Sequence, residues 1–355
     1  MPTYTCQVDE KVERKTHGTF KYPLGVYPVE DLEPKEGYIA EFEPADGGDQ
    51  SGEWEEWPDR YVFDVVVSAE KLQPLCRQLF AMMPPKVYPI LDILGRDAFR
   101  EVDPHISYDL VGLDIFLDGI MRFKDFLYED GLCGFGAMAE SPFFYVFVDE
   151  HKIVTIRIEA TRKERLEKLL EAFELESSVP GKEPVGADGA AHEHRTVLAI
   201  SDDPRVLGPD EVVEQLRDDW RLILNVDPES NLDEDGNDLG STPWRCLIRC
   251  DPLEGTKAEK KYAEVIVDAE NLRKAEELAF EAVEKLSEDG GVADEFEDQV
   301  MVSADRLDEA GLRDLLGSEG KPARKGKPKA KAKGEAGEAA EVGAEAEGVR
   351  RARWI

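Results

Sequence analysis

The chain has 355 residues and a formal net charge of −34, with 78 acidic side chains against 44 basic ones. This length is sufficient for two domains, and the 41% of hydrophobic residues can supply a packed core. So large an acidic excess repels nucleic acids and anionic membrane surfaces unless a local patch reverses the sign. The composition therefore argues against nucleic-acid or membrane binding by the body of the chain.

The sequence predicts neither a membrane span nor a secretory leader. No apolar run approaches the ~20 residues that cross a bilayer. The N-terminal stretch MPTYTCQVDEKVERKTHG lacks the apolar segment of a signal peptide. The five cysteines are odd in number and scattered, which is not the pattern of a disulfide framework. We expect a cytoplasmic protein with reduced thiols and no membrane partner.

Hydrophobic periodicity predicts strands and helices along most of the chain. Runs rich in Val and Ile favour strands, and apolar residues three or four apart favour amphipathic helices. In chain order we expect a strand at 37–44, a strand and helix at 61–83, a strand at 86–94, a helix at 109–129, strands at 141–148 and 152–159 with a helix from 161, a strand at 195–201, a helix at 210–224, a hairpin at 243–267, a helix at 269–286, a strand at 299–303 and a helix at 304–316.

Two changes in composition divide the chain. Residues 176–194 are rich in Gly, Pro and Ala, which is typical of a linker. From about residue 318, a long segment contains one Val and no Leu, Ile or aromatic residue, so it cannot bury enough apolar surface to offset its ordering entropy. The predicted organisation is an N-terminal extension (1–36), a first domain (37–175), a linker (176–194), a second domain (195–317) and a disordered tail (318–355), basic and then rich in Ala and Glu.

The order of elements predicts the fold class. The second half reads βαββαβ, an order typical of a ferredoxin-like α+β sandwich. The first half has a similar order with an inserted helical segment. We therefore predict an α+β protein with two ferredoxin-like sandwiches in tandem.

A larger repeat supports this prediction. SPFFYVFV (141–148) and TPWRCLIR (242–249) both open with a hydroxyl residue, proline and an aromatic residue. Each is followed by a second strand and an amphipathic helix. We interpret the two strand–strand–helix segments as a degenerate tandem duplication, the alternative being chance resemblance between two αβ segments.

The stretch NLDEDGND (231–238) resembles the start of a calcium-binding EF-hand loop. Asn231, Asp233 and Asp235 occupy the first, third and fifth ligand positions, and a glycine follows at the sixth. The twelfth position, which requires a bidentate Glu, holds Thr242. These three residues are therefore weak metal candidates, and an acidic Asp-Gly turn is the simpler interpretation. No cofactor is predicted.

A possible catalytic group lies in DPHISYD (103–109). His105 is the residue type that most often serves as a general base near neutral pH, and it stands among Asp, Ser and Tyr. The simpler interpretation is a turn that leads into a helix. A hydrolase or transferase with a site near His105 is our second alternative for the function.

Our leading hypothesis is a non-enzymatic interaction or regulatory protein that binds a protein partner or associates with itself. Aromatic residues in EWEEWPDRY (53–61) are the candidate contact residues: Trp54, Trp57 and Tyr61. Core packing of these side chains is the alternative.

The first alternative for the function is a nucleic-acid-associated protein. Residues 320–355 carry ten Lys or Arg and five Glu, so a basic segment adjoins an acidic body. Lys- and Arg-rich segments bind polyanions by releasing counterions. Nucleic acid is expected to bind only through residues 321–333, and the candidates are Lys321, Arg324, Lys325, Lys327, Lys329, Lys331 and Lys333.

Overall fold

The computed structural model describes residues 4–29, 33–45, 57–178, 192–233, 235–253, 260–290, 296–317, 341–342 and 348–355. The chain divides into two compact units. Unit 1 comprises residues 1–94 and 102–225, and unit 2 comprises residues 95–101 and 226–355. Both units combine sheets with helices, so the predicted α+β class is confirmed.

Unit 1 is built around a nine-stranded antiparallel sheet. The strands of the unit are β1 (Thr16–His17), β2 (Phe20–Lys21), β3 (Val26–Pro28), β4 (Gly37–Glu43), β5 (Arg60–Val66), β6 (Lys86–Leu94), β7 (Val102–Ile106), β8 (Val111–Gly112), β9 (Cys133–Glu140), β10 (Phe143–Val148), β11 (Val154–Glu159), β12 (His192–His194) and β13 (Ile223–Leu224). The sheet order is β13-β7-β6-β9-β10-β11-β5-β4, with β8 also paired to β6. Within the described residues, unit 1 also contains two small sheets, β1-β2 and β3-β12.

Among the described residues of unit 1, five helices contribute to the apolar core: α1 (Ala69–Phe80), α2 (Leu113–Arg122), α3 (Lys124–Glu129), α4 (Lys163–Ala172) and α5 (Pro209–Trp220). Alternate residues of the central strands, such as Phe144, Val146 and Val148 of β10, belong to the same core as buried residues of these helices. Because successive strand residues point to opposite faces, the helices pack on one face of the sheet. The other face is called the outer face below.

In the part of unit 2 that the structure describes, one five-stranded sheet and two helices are formed: β14 (Thr242–Pro252), β15 (Lys261–Ala269), α6 (Leu272–Asp289), β16 (Phe296–Arg306), α7 (Glu309–Gly317), β17 (Glu341–Val342) and β18 (Val349–Trp354). The strand order is β16-β14-β15-β18-β17, and every neighbouring pair is antiparallel. The helix α6 buries Leu272, Ala275, Ala279, Ala282, Val283 and Leu286, at the spacing predicted for its apolar face.

The predicted strand–strand–helix segment occurs in both units. In unit 1 the hairpin β10–β11 leads, through one 3₁₀ turn, into α4, and in unit 2 the hairpin β14–β15 leads into α6. The finer prediction of two ferredoxin-like sandwiches is not confirmed. The strand and helix expected to open the second sandwich, at 195–224, belong to unit 1.

The segment 195–201 does not form the predicted strand. It has a single isolated bridge, between Leu198 and Val8. The N-terminal residues bind it instead: Asp9 N–H donates to the Val197 carbonyl at 2.8 Å, and Ala199 N–H donates to the Gln7 carbonyl at 2.9 Å. The buried Asp130 carboxylate accepts a further hydrogen bond from Val197 N–H at 2.8 Å. These contacts place the segment in unit 1, so the contact-defined units divide at residue 225 rather than within 176–194.

The chain end differs from the predicted disordered tail. Residues 349–354, VRRARW, form β18, which pairs antiparallel with β15. Alternating Ala352 and Trp354 lie opposite Val265 and Ala263 on the sheet. The predicted tail is therefore anchored at its far end by a strand, which a composition-based prediction of the whole segment overlooked.

Candidate functional site

Aromatic side chains alternate along β10, at Phe143, Tyr145 and Phe147. They share the outer face of the sheet, because the residues between them belong to the helix-packed core. The Trp57 ring meets Phe143 edge-on, with centroids 4.9 Å apart, and Tyr145 stacks on Phe147 at 6.1 Å. We call Trp57, Phe143, Tyr145 and Phe147 the aromatic stripe.

Two glycines of the neighbouring strand β9 make room for this stripe. A Cβ atom on Gly134 would lie 2.8 Å from Phe147 Cζ, and one on Gly136 would lie 2.8 Å from Phe147 Cα and 2.2 Å from the Val146 carbonyl oxygen. Any side chain at these positions would displace Phe147. Gly134 and Gly136 of GLCGFG (131–136) thus allow close packing of the Phe147 ring.

Charged groups flank the stripe on both sides. Arg157, exposed on β11, lies opposite Tyr145 with its guanidinium 5.4 Å from the ring centroid. Asp92 lies on β6, and its partner in register is Gly134. Burial and then the charge of Glu150 raise the pKa of Asp92 to about 6. Burial, partly offset by Arg157, raises the pKa of Tyr145 to about 12.

This face combines the residue types that dominate protein–protein contacts. Trp, Tyr and Arg are enriched among interface residues that carry most of the binding energy. Trp57 and Tyr145 are half-buried, so each still offers aromatic surface, and Arg157 offers a charge next to them. The alternation F-x-Y-x-F within SPFFYVFV carries the signal for this stripe. The repeat shared with TPWRCLIR rests on the Ser-Pro-aromatic opening of this segment and does not depend on its period of two.

The structure separates the predicted aromatic contact residues. Trp57 belongs to the stripe, whereas Tyr61 lies on the helix-packed face, where its ring meets Phe42 at 5.2 Å and Lys163 Nζ lies 4.5 Å from its centroid. Trp54 lies outside the described residues. Of the two described residues, Trp57 therefore contributes to the candidate site and Tyr61 does not.

His105 lies in β7, within the nine-stranded sheet and not in the predicted turn. It is 6% exposed, and its Nδ1 lies 3.0 Å from the Asp103 carbonyl oxygen. Of the neighbouring hydroxyls, Ser107 donates to the Asp109 carbonyl, and Tyr108 donates to the Asn225 side chain.

The loop NLDEDGND is organised by its own hydrogen bonds. Asp233 Oδ1 accepts from the backbone N–H groups of Asp235 at 3.0 Å and Asn237 at 2.8 Å. Asn231 is buried, and its side-chain amide donates to the Gly240 carbonyl and to the Thr242 hydroxyl. The first and third ligand positions thus bind the chain itself, as in an Asx-type turn.

Within the described parts of the chain, no group of three or more His, Cys, Asp or Glu side chains could hold a metal ion. Three histidine rings lie near one another: the His151 ring centroid is 4.5 Å from that of His192 and 5.0 Å from that of His194. His194 Nδ1 lies 2.8 Å from the Gly131 carbonyl oxygen. These rings pack β12 against the rest of unit 1.

The seven basic candidates between residues 321 and 333 lie outside the described residues.

The arginines of β18 contact acidic groups of their own unit. Arg351 and Arg353 both pair with the Glu264 carboxylate, at 2.8 and 3.0 Å, and Arg350 pairs with Asp268. Burial raises the pKa of Glu264, but the hydrogen bond and charge of Arg245, with the charges of Arg353 and Arg351, outweigh it and lower that pKa below its ordinary value.

Comparison of the chain with protein-family models, curated proteins and solved structures finds no match. Among the described residues, no helix has both the length and the apolar character needed to cross a bilayer.

Proposed function

We propose that this protein is a non-enzymatic interaction protein, and that its partner is another protein that docks on the outer face of the unit 1 sheet. The observation that carries this proposal is the alignment of Trp57, Tyr145 and Arg157 on one face. Aromatic rings and an adjacent guanidinium offer apolar area and directed hydrogen bonds to a protein surface. The raised pKa of Asp92 adds a carboxyl group that gains or loses its charge near pH 6.

The test compares capture of partners by the wild-type protein and by two variants, Trp57→Ala and Arg157→Glu. Each protein is cross-linked in native lysate, and the captured proteins are quantified by mass spectrometry. A partner that uses the stripe should be lost from both variants. With the purified partner, each substitution should weaken binding about thirtyfold, the cost of about 2 kcal/mol that is typical of a hot-spot residue.

The matched control is Arg165→Glu, because Arg165 is an exposed arginine of α4 and lies away from the outer face. This charge reversal should leave capture unchanged. Sedimentation of the purified chain separates self-association from binding of a different protein. An identical set of captured proteins for wild type, both stripe variants and the control would contradict the proposal.

We propose a cytoplasmic setting, supported by the five cysteines, which are all buried free thiols.

Of the predicted tandem architecture, we propose that the two strand–strand–helix segments arose by duplication. Superposition of β10–β11–α4 on β14–β15–α6 tests this idea, and different hairpin registers or opposite helix placement would reject it.

A further inference from the structure

The strand β4 lies at one end of the nine-stranded sheet and pairs along its whole length with β5. In an antiparallel pair, alternate residues point their N–H and C=O groups away from the neighbouring strand. Tyr38 points outward, because its N–H donates to the Glu176 carbonyl at 3.1 Å and its carbonyl accepts from Ser178 N–H at 2.8 Å. The backbone groups of Ala40 and Phe42 therefore also point outward.

The chain covers the first of these outward positions, Tyr38, with its own backbone. Continuation of this pairing along the sequence would require residue 180 to donate an N–H to the Ala40 carbonyl, and Pro180 has no N–H. Among the described residues, no group hydrogen-bonds the outward backbone of Ala40 or Phe42. Each of these two residues therefore offers an N–H and a C=O to an added strand.

The side chains beside this open edge differ between the two faces of the sheet. Phe42 is 50% exposed, and its ring meets Tyr61 edge-on at 5.2 Å on the helix-packed face. Ile39 and Glu41 lie on the opposite face, because successive strand residues alternate. A strand added to this edge would meet an aromatic ring on one face and a carboxylate on the other.

The carboxylates nearest the open edge give it a negative charge. On β4, Glu43 pairs with Arg60 at 2.6 Å, whereas Glu41 is exposed. Glu176, which lies beside Tyr38, is exposed as well. Within the described part of the chain, neither Glu41 nor Glu176 has an ion-pair partner. A cation on an added strand would therefore be attracted to this edge.

The same charge distinguishes between two possible occupants of the edge. If a second copy of the chain paired antiparallel over Ala40 and Phe42, the Glu41 side chains of the two copies would lie opposite each other. Like charges directly opposite each other are destabilising. A strand with Lys or Arg at the central position and apolar residues on either side of it complements both faces instead.

We propose that the β4 edge binds an extended segment of a partner protein in which Lys or Arg alternates with apolar residues. The segment adds antiparallel to β4, its apolar residues pair with the backbone of Ala40 and Phe42, and its central cation lies opposite Glu41. In such strand addition, main-chain hydrogen bonds supply affinity and alternate side chains supply specificity. The edge is a different surface from the aromatic stripe, so this inference does not depend on docking at the outer face.

A fluorescent pentapeptide of alternating lysine and valine, with lysine at both ends, tests the site by anisotropy titration of the full-length protein. It should bind saturably, and the peptide with glutamate in place of lysine should bind at least tenfold more weakly. In the antiparallel register, the valine N–H groups face β4 and the lysine N–H groups face away. N-methylation of both valines should therefore weaken binding at least tenfold, whereas N-methylation of two lysines should leave it unchanged.

Variants of the protein assign the binding to β4. Glu41→Lys should weaken binding of the pentapeptide about tenfold. Ala40→Pro removes an outward N–H, a change that an edge strand tolerates, and should also weaken binding about tenfold. The matched control is Asp114→Lys, because Asp114 is an exposed acid of α2, which packs beside β6 and β8 rather than β4. This control should bind the pentapeptide as the wild type does.

The proposal is overturned if the pentapeptide does not bind saturably, if the two methylated peptides bind equally, or if Glu41→Lys binds as tightly as the wild type. Sedimentation of the purified protein without peptide tests the other occupant. A concentration-dependent dimer that Ala40→Pro abolishes would assign the edge to a second copy of the chain and would also overturn the proposal.

Discussion

Asn231 is the first residue of the apparent calcium loop and is 3% exposed. Its amide donates to the Gly240 carbonyl at 2.6 Å and to the Thr242 hydroxyl at 3.0 Å, and its Oδ1 accepts from Arg306 at 3.2 Å. Thr242 is the residue that stands where an EF-hand requires Glu. The polar pattern that resembles a metal loop thus satisfies buried groups of the chain itself.

Asn231→Ala should destabilise unit 2 by roughly 2–3 kcal/mol, because it leaves buried hydrogen-bonding groups without a partner. Chemical denaturation followed by tryptophan fluorescence measures the effect. Asp235→Ala, an exposed change in the same loop, should cost less than about 0.5 kcal/mol. Equal losses for the two variants would show that Asn231 has no such structural role.

Asp92 has a folded-state pKa of about 6, raised first by burial and then by Glu150. The folded protein therefore holds a proton between about pH 4 and pH 6 that the unfolded chain releases. This stabilising contribution is complete below the ordinary pKa of a carboxyl group and is lost as the pH rises through about 6.

Asp92→Asn should remove this dependence on pH. The variant should be more stable than wild type by about 2 kcal/mol at pH 8, and the difference should vanish near pH 4. Denaturation curves at pH 4, 6 and 8 measure it, with Glu41→Gln, an exposed carboxylate on the same sheet, as the control. A constant difference at all three pH values would contradict the raised pKa.

At the scale of elements, three similar stretches fold in three ways. In VVVSAEKL (65–72), Ser68 precedes α1, but its hydroxyl accepts from Lys21 N–H rather than capping the helix. In VIVDAENL (265–272), Asn271 caps α6 by accepting from Lys274 N–H at 2.9 Å. In VMVSADRL (300–307), the strand β16 continues through the Ser to Arg306. Local propensity predicts strands and helices here, but packing decides where they meet.

The C-terminal strand β18 could not be predicted from the composition of its segment. It is short, follows a low-complexity segment and contains Arg350, Arg351 and Arg353. In the sheet, two of these arginines surround the buried Glu264 together with Arg245 of β14. Arginines that suggest a solvated tail in the sequence thus pair with a buried carboxylate of unit 2 in the structure.

Removal of residues 318–355 should destabilise unit 2 by about 3 kcal/mol or more, because Glu264 loses two of its three arginines and β15 loses a neighbouring strand. Deletion of residues 321–333 alone retains β18 and should leave the unfolding transition within about 0.5 kcal/mol of wild type. Calorimetry of the full-length protein and both variants checks this prediction. Equal transitions for all three would show that β18 contributes no stability.

At the scale of the whole molecule, the anchoring of β18 in the unit 2 sheet determines which deletion can test the nucleic-acid alternative. The shorter deletion, 321–333, removes the seven basic candidates without removing a strand of the sheet. If that segment binds nucleic acid, filter binding at low salt should be lost in the deletion variant. Wild-type affinity should also fall steeply between 50 and 200 mM salt, by roughly a thousandfold for six phosphate contacts. Binding that survives the deletion would exclude this segment as the source.

Sequence periodicity identified most strands and helices because burial on one face imposes a local pattern. The strand β6 has the predicted limits, 86–94, and the strand–strand–helix segments occur in both halves. Only part of the candidate site could be predicted from the sequence. Trp57 was identified, but the contact of Tyr145 with Arg157 depends on the pairing register of two strands. Such a register is not encoded within either strand alone.

By itself, the sequence determined the α+β class, the acidic character and the approximate positions of the elements, since each follows from composition or from local spacing. Only the tertiary structure decided which segments belong together. Residues 197–199 join the N-terminal residues 7–9 through backbone hydrogen bonds, and VRRARW returns to β15 across the low-complexity segment. Backbone donors and acceptors are the same in every residue, so their long-range pairing leaves little trace in the sequence.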